Sequence, residues 1–189
     1  MRTLLHASVL LLASSAAHAV EAPLDTREID CEPAPQADCS GADLRFANLA
    51  GKDLRGAIFR GADLSRADLR SANLVGADFT DAVARGTDFS RAYLAQSIFV
   101  RAQLTGADFE AARMSKSDFT KADLTAANLS AAWAIGCRFV GATLDAADAQ
   151  ETKFSTSTLQ DASMRGTRIR FAVFSEVFFD GCIECPTDW

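Results

Sequence analysis

Residues 61–79 read GADLSRADLRSANLVGADF, in which Ala, then Asp or Asn, then Leu or Phe return at every fifth position. Neither regular element has that period, because a helix repeats its face about every 3.6 residues and a strand at every second one. A fixed period of five belongs to a larger coiled unit. Stepping by five from Leu44 to Phe179 visits 28 positions, of which 25 are Leu, Phe, Met or Ile; Ala84, Ala134 and Ala149 are the exceptions. Two residues before each of these centres, 26 of the 28 positions hold Ala, Ser, Thr or Cys, with Lys52 and Val177 outside the rule. A large and a small side chain recur together, as in a narrow interior packed from both.

The other positions describe the corners and the outside. All 11 glycines, Gly41 to Gly181, fall two residues after a centre, where a tight bend favours a residue without Cβ. Asp or Asn precedes the centre in 13 of the 28 repeats, and such side chains bond nearby backbone groups. The four prolines, Pro23, Pro33, Pro35 and Pro186, all lie outside 41–181, as required if backbone N–H groups there bond to neighbouring coils.

Writing the centres in rows of four places Phe59, Phe79, Phe99, Phe119, Phe139, Leu159 and Phe179 in one column. The chain therefore turns once in 20 residues over four short sides, stacking Phe on Phe at about 4.8 Å. Its 28 pentads give about seven coils, an all-β rod of roughly 34 Å. Each Ala centre shares its coil with phenylalanines that fill the space it leaves: Ala84 with Phe89 and Phe99, Ala134 with Phe139, Ala149 with Phe154.

The ends read differently. Met1 and Arg2 precede an apolar run through Leu4, Leu5 and Val9–Ala13, then Ala17-His18-Ala19, an A-x-A cleavage pattern. Residues 1–19 are thus expected to be a secretory signal peptide, too short to span a bilayer, and the mature chain periplasmic or secreted with no membrane span. The only histidines, His6 and His18, leave with it, which removes the commonest general base and metal ligand. No catalytic, metal or cofactor site is expected. Residues 20–40, with three prolines and six carboxylates, read as a leader and N-terminal cap, 41–181 as the repeat, and 182–189 as a C-terminal cap.

Cysteines flank the repeat: Cys31 and Cys39 before it, Cys182 and Cys185 after it, while Cys137 takes a small inward position in a column with Ser97, Ser117 and Ser157. In an oxidising compartment this predicts a disulfide at each end, Cys31–Cys39 and Cys182–Cys185, and one buried thiol. Cys182-Ile-Glu-Cys185 also has C-x-x-C spacing, so a thiol–disulfide protein is one alternative function.

The motif GADLSRADLRSANLVGADF resembles the pentapeptide-repeat family, whose pattern is A-(D/N)-L-x-x, over residues 41–181. The resemblance implies a right-handed quadrilateral β-helix, a β-solenoid. The family includes proteins proposed to imitate DNA and protect gyrase, so a DNA mimic acting on a topoisomerase is a second alternative. Charge opposes it. Residues 41–181 carry 17 acidic and 17 basic side chains, and the mature chain's net −7 (18 minus 25) comes from its flanks. Duplex DNA of the rod's length carries about 20 negative charges. Asp68, Asp88, Asp108 and Asp148 do form a column on the second face, with Arg70, Arg91 and Arg170 expected as partners. No nucleic acid is expected as a partner.

The preferred reading is an exported non-enzymatic scaffold or protein-binding rod. Its candidate contact surface is Val75, Tyr93, Trp133, Ile135 and Val173 on the third face, continued by Ile58, Ile98, Val100, Val140 and Phe178 on the fourth. An unknown protein or a second copy would bind there.

Overall fold

Once per pentad, the residue before a centre makes a parallel β-bridge to the residue twenty positions later, beginning with Asp38↔Ile58 and Asp43↔Asp63 and ending with Ser163↔Ile183. The computed structural model describes residues 31–186, so the expected signal peptide and most of the leader lie outside the described residues. Among these, bridges are single residues and no longer strand forms. They line up in four columns, named here by their first members: Asp38, Asp43, Asn48 and Asp53. The bridged lattice includes Cys39, which is 1% exposed at a centre position, and extends to Ile183 in the C-terminal segment.

A pentad has five backbone N–H groups, and following each one explains the sequence. The centre donates to a carbonyl nineteen residues on (Phe99 N to Asp118 O, 2.7 Å), and the bridging residue to one twenty-one residues back (Ile58 N to Ala37 O, 2.8 Å). The small residue donates to the centre three before it (Ala62 N to Phe59 O, 3.1 Å), and the corner residue reaches the next coil (Gly61 N to Thr80 O, 3.0 Å). Proline at any of these four positions would delete a bond. The fifth N–H, one residue after the centre, has no backbone acceptor. The Asp or Asn two residues earlier supplies one: Ser65 N donates to Asp63 Oδ1 at 2.9 Å, Glu110 N to Asp108 Oδ1 at 2.8 Å, and Ser130 N to Asn128 Oδ1 at 3.0 Å. The short acidic side chain is thus a backbone cap.

Every corner residue two positions after a centre, from Gln36 to Gly181, has positive φ. Glycine suits this conformation, and a Cβ added at Gly61 would meet nothing within 4 Å, so its freedom there is conformational and not steric. Elsewhere the interlocked coil holds larger residues in the same shape, as at Arg66 (φ 59°), whose N–H donates to Arg85 O at 3.0 Å.

Inside, Phe59, Phe79, Phe99, Phe119 and Phe139 stack at centroid spacings of 5.0, 4.6, 4.8 and 5.1 Å. A second pair, Phe89 and Phe109, stacks at 4.9 Å and meets the first ladder edge-on, Phe99 to Phe109 at 5.9 Å. Phe179 departs from its expected place in the ladder: it is half-buried and tilted 47° against Phe174. Where Ala is replaced by a hydroxyl, the group has a fixed task. Ser97, Ser117 and Ser157 donate to the carbonyls of Leu74, Leu94 and Ala134, each twenty-three residues back, at 2.8, 2.5 and 2.6 Å. The small inward position therefore selects for size and, in that column, for a donor that satisfies a buried carbonyl.

Candidate functional site

With the interior nearly uniform, differences between the outer columns locate the candidate site. In the Asn48 column, Asp68 and Asp88 share Arg70 (2.6 and 3.6 Å), Asp148 is paired with Arg168 (2.7 Å), and Asp108 accepts from the Asn128 amide (3.1 Å). The Arg70 hydrogen bond holds the Asp68 carboxyl below its ordinary range. Two of the expected partners are elsewhere. Arg170 lies over the Phe171 ring at 4.6 Å, and Arg91 lines a concavity of about 590 Å³ with Arg70, Asp88 and Glu110. Arg168 is the true partner of Asp148 because it holds the equivalent position one coil on and bridges to it.

The Asp53 column departs from the capping rule. After Asn73 it runs Tyr93, Arg113, Trp133, Lys153, Val173, successive members bridged to one another. Arg113 lies over the Tyr93 ring at 5.3 Å and over Trp133 at 5.8 Å, and Lys153 lies over Trp133 at 4.3 Å. Arg113 comes from the coil before Trp133 and Lys153 from the coil after, so a cation covers each face of the indole while its rim is left to solvent. Tyr93 is 44% exposed and Trp133 45%. Several other arginines face carboxylates: Arg55 holds Asp53 at the start of this same column, Arg60 holds Asp78, and Arg101 holds Asp81, at 2.6–2.7 Å. Among the described residues, Arg113 and Lys153 have no carboxylate within ion-pair distance.

Of the other residues expected on this surface, Val75 and Val173 are exposed and Ile135 is half-buried beside Trp133. Ile58, Ile98, Val100 and Val140 are half-buried; the bridging column of Ile58 and Ile98 is interrupted by Asp78 and Asp118, and Phe178 is exposed at its far end. Arg113 and Lys153 escape a search confined to apolar residues; their step of twenty from Tyr93 and Trp133 is the signal that finds them.

At the ends, disulfides join Cys31 to Cys39 and Cys182 to Cys185, with Cα separations of 5.3 and 5.7 Å. Cys137 is the free cysteine, buried beside Ser157; its thiol contacts Met114 O at 2.9 Å, and burial pushes its pKa up to about 12. A thiol held protonated in this way is a poor nucleophile. Among the described residues there is no group of three metal-ligating side chains, and no helix long and apolar enough to cross a membrane.

Comparison with known proteins places this lattice. Eight copies of the pattern described as pentapeptide repeats match, within residues 37–74, 62–99, 72–110, 87–125 and 122–161. No curated protein sequence matches the chain. Among solved structures, a pentapeptide repeat protein from the Arabidopsis thaliana thylakoid lumen is 31% identical over 46% of this chain and 61% of its own, with TM-score 0.45, so the chain spans under two thirds of that relative. A trypsin-treated variant of QnrB1, a plasmid-mediated fluoroquinolone resistance protein, is 20% identical over 69% of this chain and 75% of its own, with TM-score 0.48. HetL, involved in heterocyst differentiation regulation in the cyanobacterium Nostoc, is 24% identical over 77% and 84%, with TM-score 0.36. With the matched repeats together spanning residues 37–161, more than half of its length, the chain belongs to the pentapeptide repeat family and has that family's right-handed β-helix fold.

Proposed function

We propose that the protein is an exported, non-enzymatic scaffold: a four-sided rod of about seven coils that turns its Asp53 column toward a partner. One observation carries the proposal. That column replaces the capping Asp or Asn with Tyr93, Arg113, Trp133 and Lys153, leaving exposed rings and cations that no carboxylate neutralises. Tyr, Trp and Arg are the side chains that dominate binding hot spots. Export is supported by the A-x-A pattern at residues 17–19 and by the terminal cysteine pairs, which suit an oxidising compartment. Val75 and Ile135 flank the ladder and Val173 ends it; Ile58, Ile98, Val100 and Val140 serve as its half-buried continuation.

Neither alternative gains comparable support. The acidic column that a DNA mimic would use is internally paired through Arg70 and Arg168. A thiol–disulfide role for Cys182 and Cys185 lacks a helix N-terminus to lower a thiol pKa, since no helix forms among the described residues.

The test is affinity capture from an oxidising, detergent-cleared cell-envelope extract, using wild-type protein beside a Tyr93→Ala/Trp133→Ala variant. A protein retained by the wild type and lost by the variant is expected. Equal retention by both moves the contact off this column, and cycling of Cys182 and Cys185 against a test disulfide substrate would replace the scaffold with a redox protein.

A further inference from the structure

The scaffold reading names a contact face, and the chemistry of that face narrows what it touches. We infer that the Asp53 column docks the rod side-on to an anionic lipid bilayer surface. The inference rests on the reading of this column as the contact face.

The available groups argue as follows. The pentads of this column at 72–76, 92–96, 112–116, 132–136 and 152–156 contain no Asp or Glu, although they include Arg113, Lys116 and Lys153. The flanking corner adds Arg91 and a single carboxylate, Glu151. Summed over the seven pentads from 52–56 to 172–176, the column carries five basic and two acidic residues, a net +3. The neighbouring Asn48 column, from 47–51 to 167–171, has four basic and six acidic, a net −2. A rod neutral as a whole is thus polar across its section, with positive charge on the side that also bears the aromatic and aliphatic residues. Anionic headgroups attract basic side chains held near the surface.

The ring geometry selects among anionic partners. Single-stranded nucleic acid is bound by bases stacking on free aromatic faces. Here Arg113 and Lys153 occupy both faces of Trp133, at 5.8 and 4.3 Å, and Arg113 also lies over Tyr93. What remains outward is the ring rim, apolar carbon together with an indole N–H or phenol O–H. That combination places Trp and Tyr at the headgroup level of bilayers. Val75 and Ile135, alongside the ladder, add aliphatic surface without charge. The face is regular because its rungs repeat once per coil, so these groups line one side of the rod in register.

Sedimentation with phosphatidylcholine vesicles, with and without phosphatidylglycerol, tests the assignment. Binding is expected only with phosphatidylglycerol and should weaken with salt. In a Trp189→Phe background Trp133 is the sole tryptophan, and its emission should shift to the blue on binding. Arg113→Gln/Lys153→Gln should reduce partitioning about thirtyfold, from roughly 1 kcal/mol per basic side chain. Arg101→Gln/Arg138→Gln, which removes equal charge from the Asp38 column side, should retain most of the binding. Thermal melts establish that each variant is folded. Absence of phosphatidylglycerol-dependent sedimentation overturns the inference, as does equal loss in both double variants. Heparin binding that depends on Arg113 and Lys153, without vesicle binding or an emission shift, would make the partner a soluble polyanion. If vesicles fail while the Trp133-dependent capture succeeds, the membrane assignment falls and the contact face stands.

Discussion

The Asn48 and Asp53 columns are adjacent products of one repeat and enclose the same interior, yet their outer chemistry is opposite. In the first, six of the seven bridging residues, Asn48 through Asp148, are Asp or Asn that cap a backbone N–H within their own pentad, including Asp68 accepting from Arg70 N at 3.1 Å and Asp148 from Gln150 N at 3.1 Å. In the second the cap is given up from Tyr93 onward, leaving rings and cations. The fold requires the inward pair and the corner. It only favours the cap. The outer position before each centre is therefore where the sequence is free to vary for a purpose other than folding, and an unbroken run of non-capping residues is more informative than any single one.

The largest expected effect tests whether both columns draw their stability from the common interior. Phe119 stacks between Phe99 and Phe139 at 4.8 and 5.1 Å and meets Phe109 edge-on. Phe119→Ala should lower stability by about 3–5 kcal/mol in urea denaturation. Thr120→Ala, one residue outward, should lose no more than about 1 kcal/mol, the value of its short bond to Asp118. Similar midpoints for the two variants would mean that the interior does not dominate.

A reciprocal exchange probes the cap itself. Asp108→Val removes the acceptor for Glu110 N–H and the contact with Asn128, and should destabilise by about 1 kcal/mol. Val173→Asp places a carboxylate two residues before Ser175, where it caps that N–H and faces Lys153 one coil away; it should stabilise by about 0.5 kcal/mol. Melting temperatures moving in opposite directions are expected. If both variants lose stability, the two columns do not follow the same backbone rule.

These contrasts mark what the sequence discloses unaided. Period five, period twenty, the Phe59 column and the inward course of Cys137 are legible because each is a steric demand repeated in every coil, and one residue out of register would place a Phe in solvent. The Asp and Asn positions are recognisable as backbone-bonding, but their specific acceptor role emerges only when the other four N–H groups have been assigned. Arg113 and Lys153 look like ordinary surface charges in the linear sequence. Their significance depends on rings one coil away and on the lack of a carboxylate partner, both three-dimensional facts. The misassigned partners Arg91 and Arg170 have the same origin: nearness in sequence does not say whether a long side chain reaches along its coil or across to the next.

Acidification should separate the columns further. The Arg70 hydrogen bond lowers the folded-state pKa of Asp68, so the carboxylate contributes stability above its unfolded value, near 3.9, and that contribution disappears as pH falls through the lower folded value. Stability should be level near neutrality and decline below about pH 4. Arg70→Ala should flatten part of that decline while changing neutral-pH stability by less than about 1 kcal/mol, since the pair is partly exposed. The Arg113–Trp133–Lys153 contacts contain no carboxylate, so the exposed-tryptophan signal of Trp133 should hold constant through the same range until global unfolding. An early change in that signal would couple the two columns.

The smallest expected effect is none at all. A protein imitating DNA at a topoisomerase must present uncompensated negative charge at close spacing, about 20 charges over a duplex of this rod's length. The Asn48 column presents Asp68 and Asp88 joined through Arg70, Asp148 joined to Arg168, and Asp108 bonded to Asn128. Freeing these carboxylates would mean breaking interactions that also position the capping side chains, and the resulting row would still be far short of duplex charge density. Purified protein should therefore leave the rate and extent of gyrase supercoiling unchanged, and Arg70→Ala/Arg168→Ala should do the same despite its added negative charge. Inhibition by wild type at low micromolar protein would reverse the assignment of roles, making the acidic column the working surface and the aromatic–cation ladder its support. Inhibition by the double variant alone would show that the arginine pairs are what separate this rod from a mimic, and that the contrast between the columns rests on two side chains.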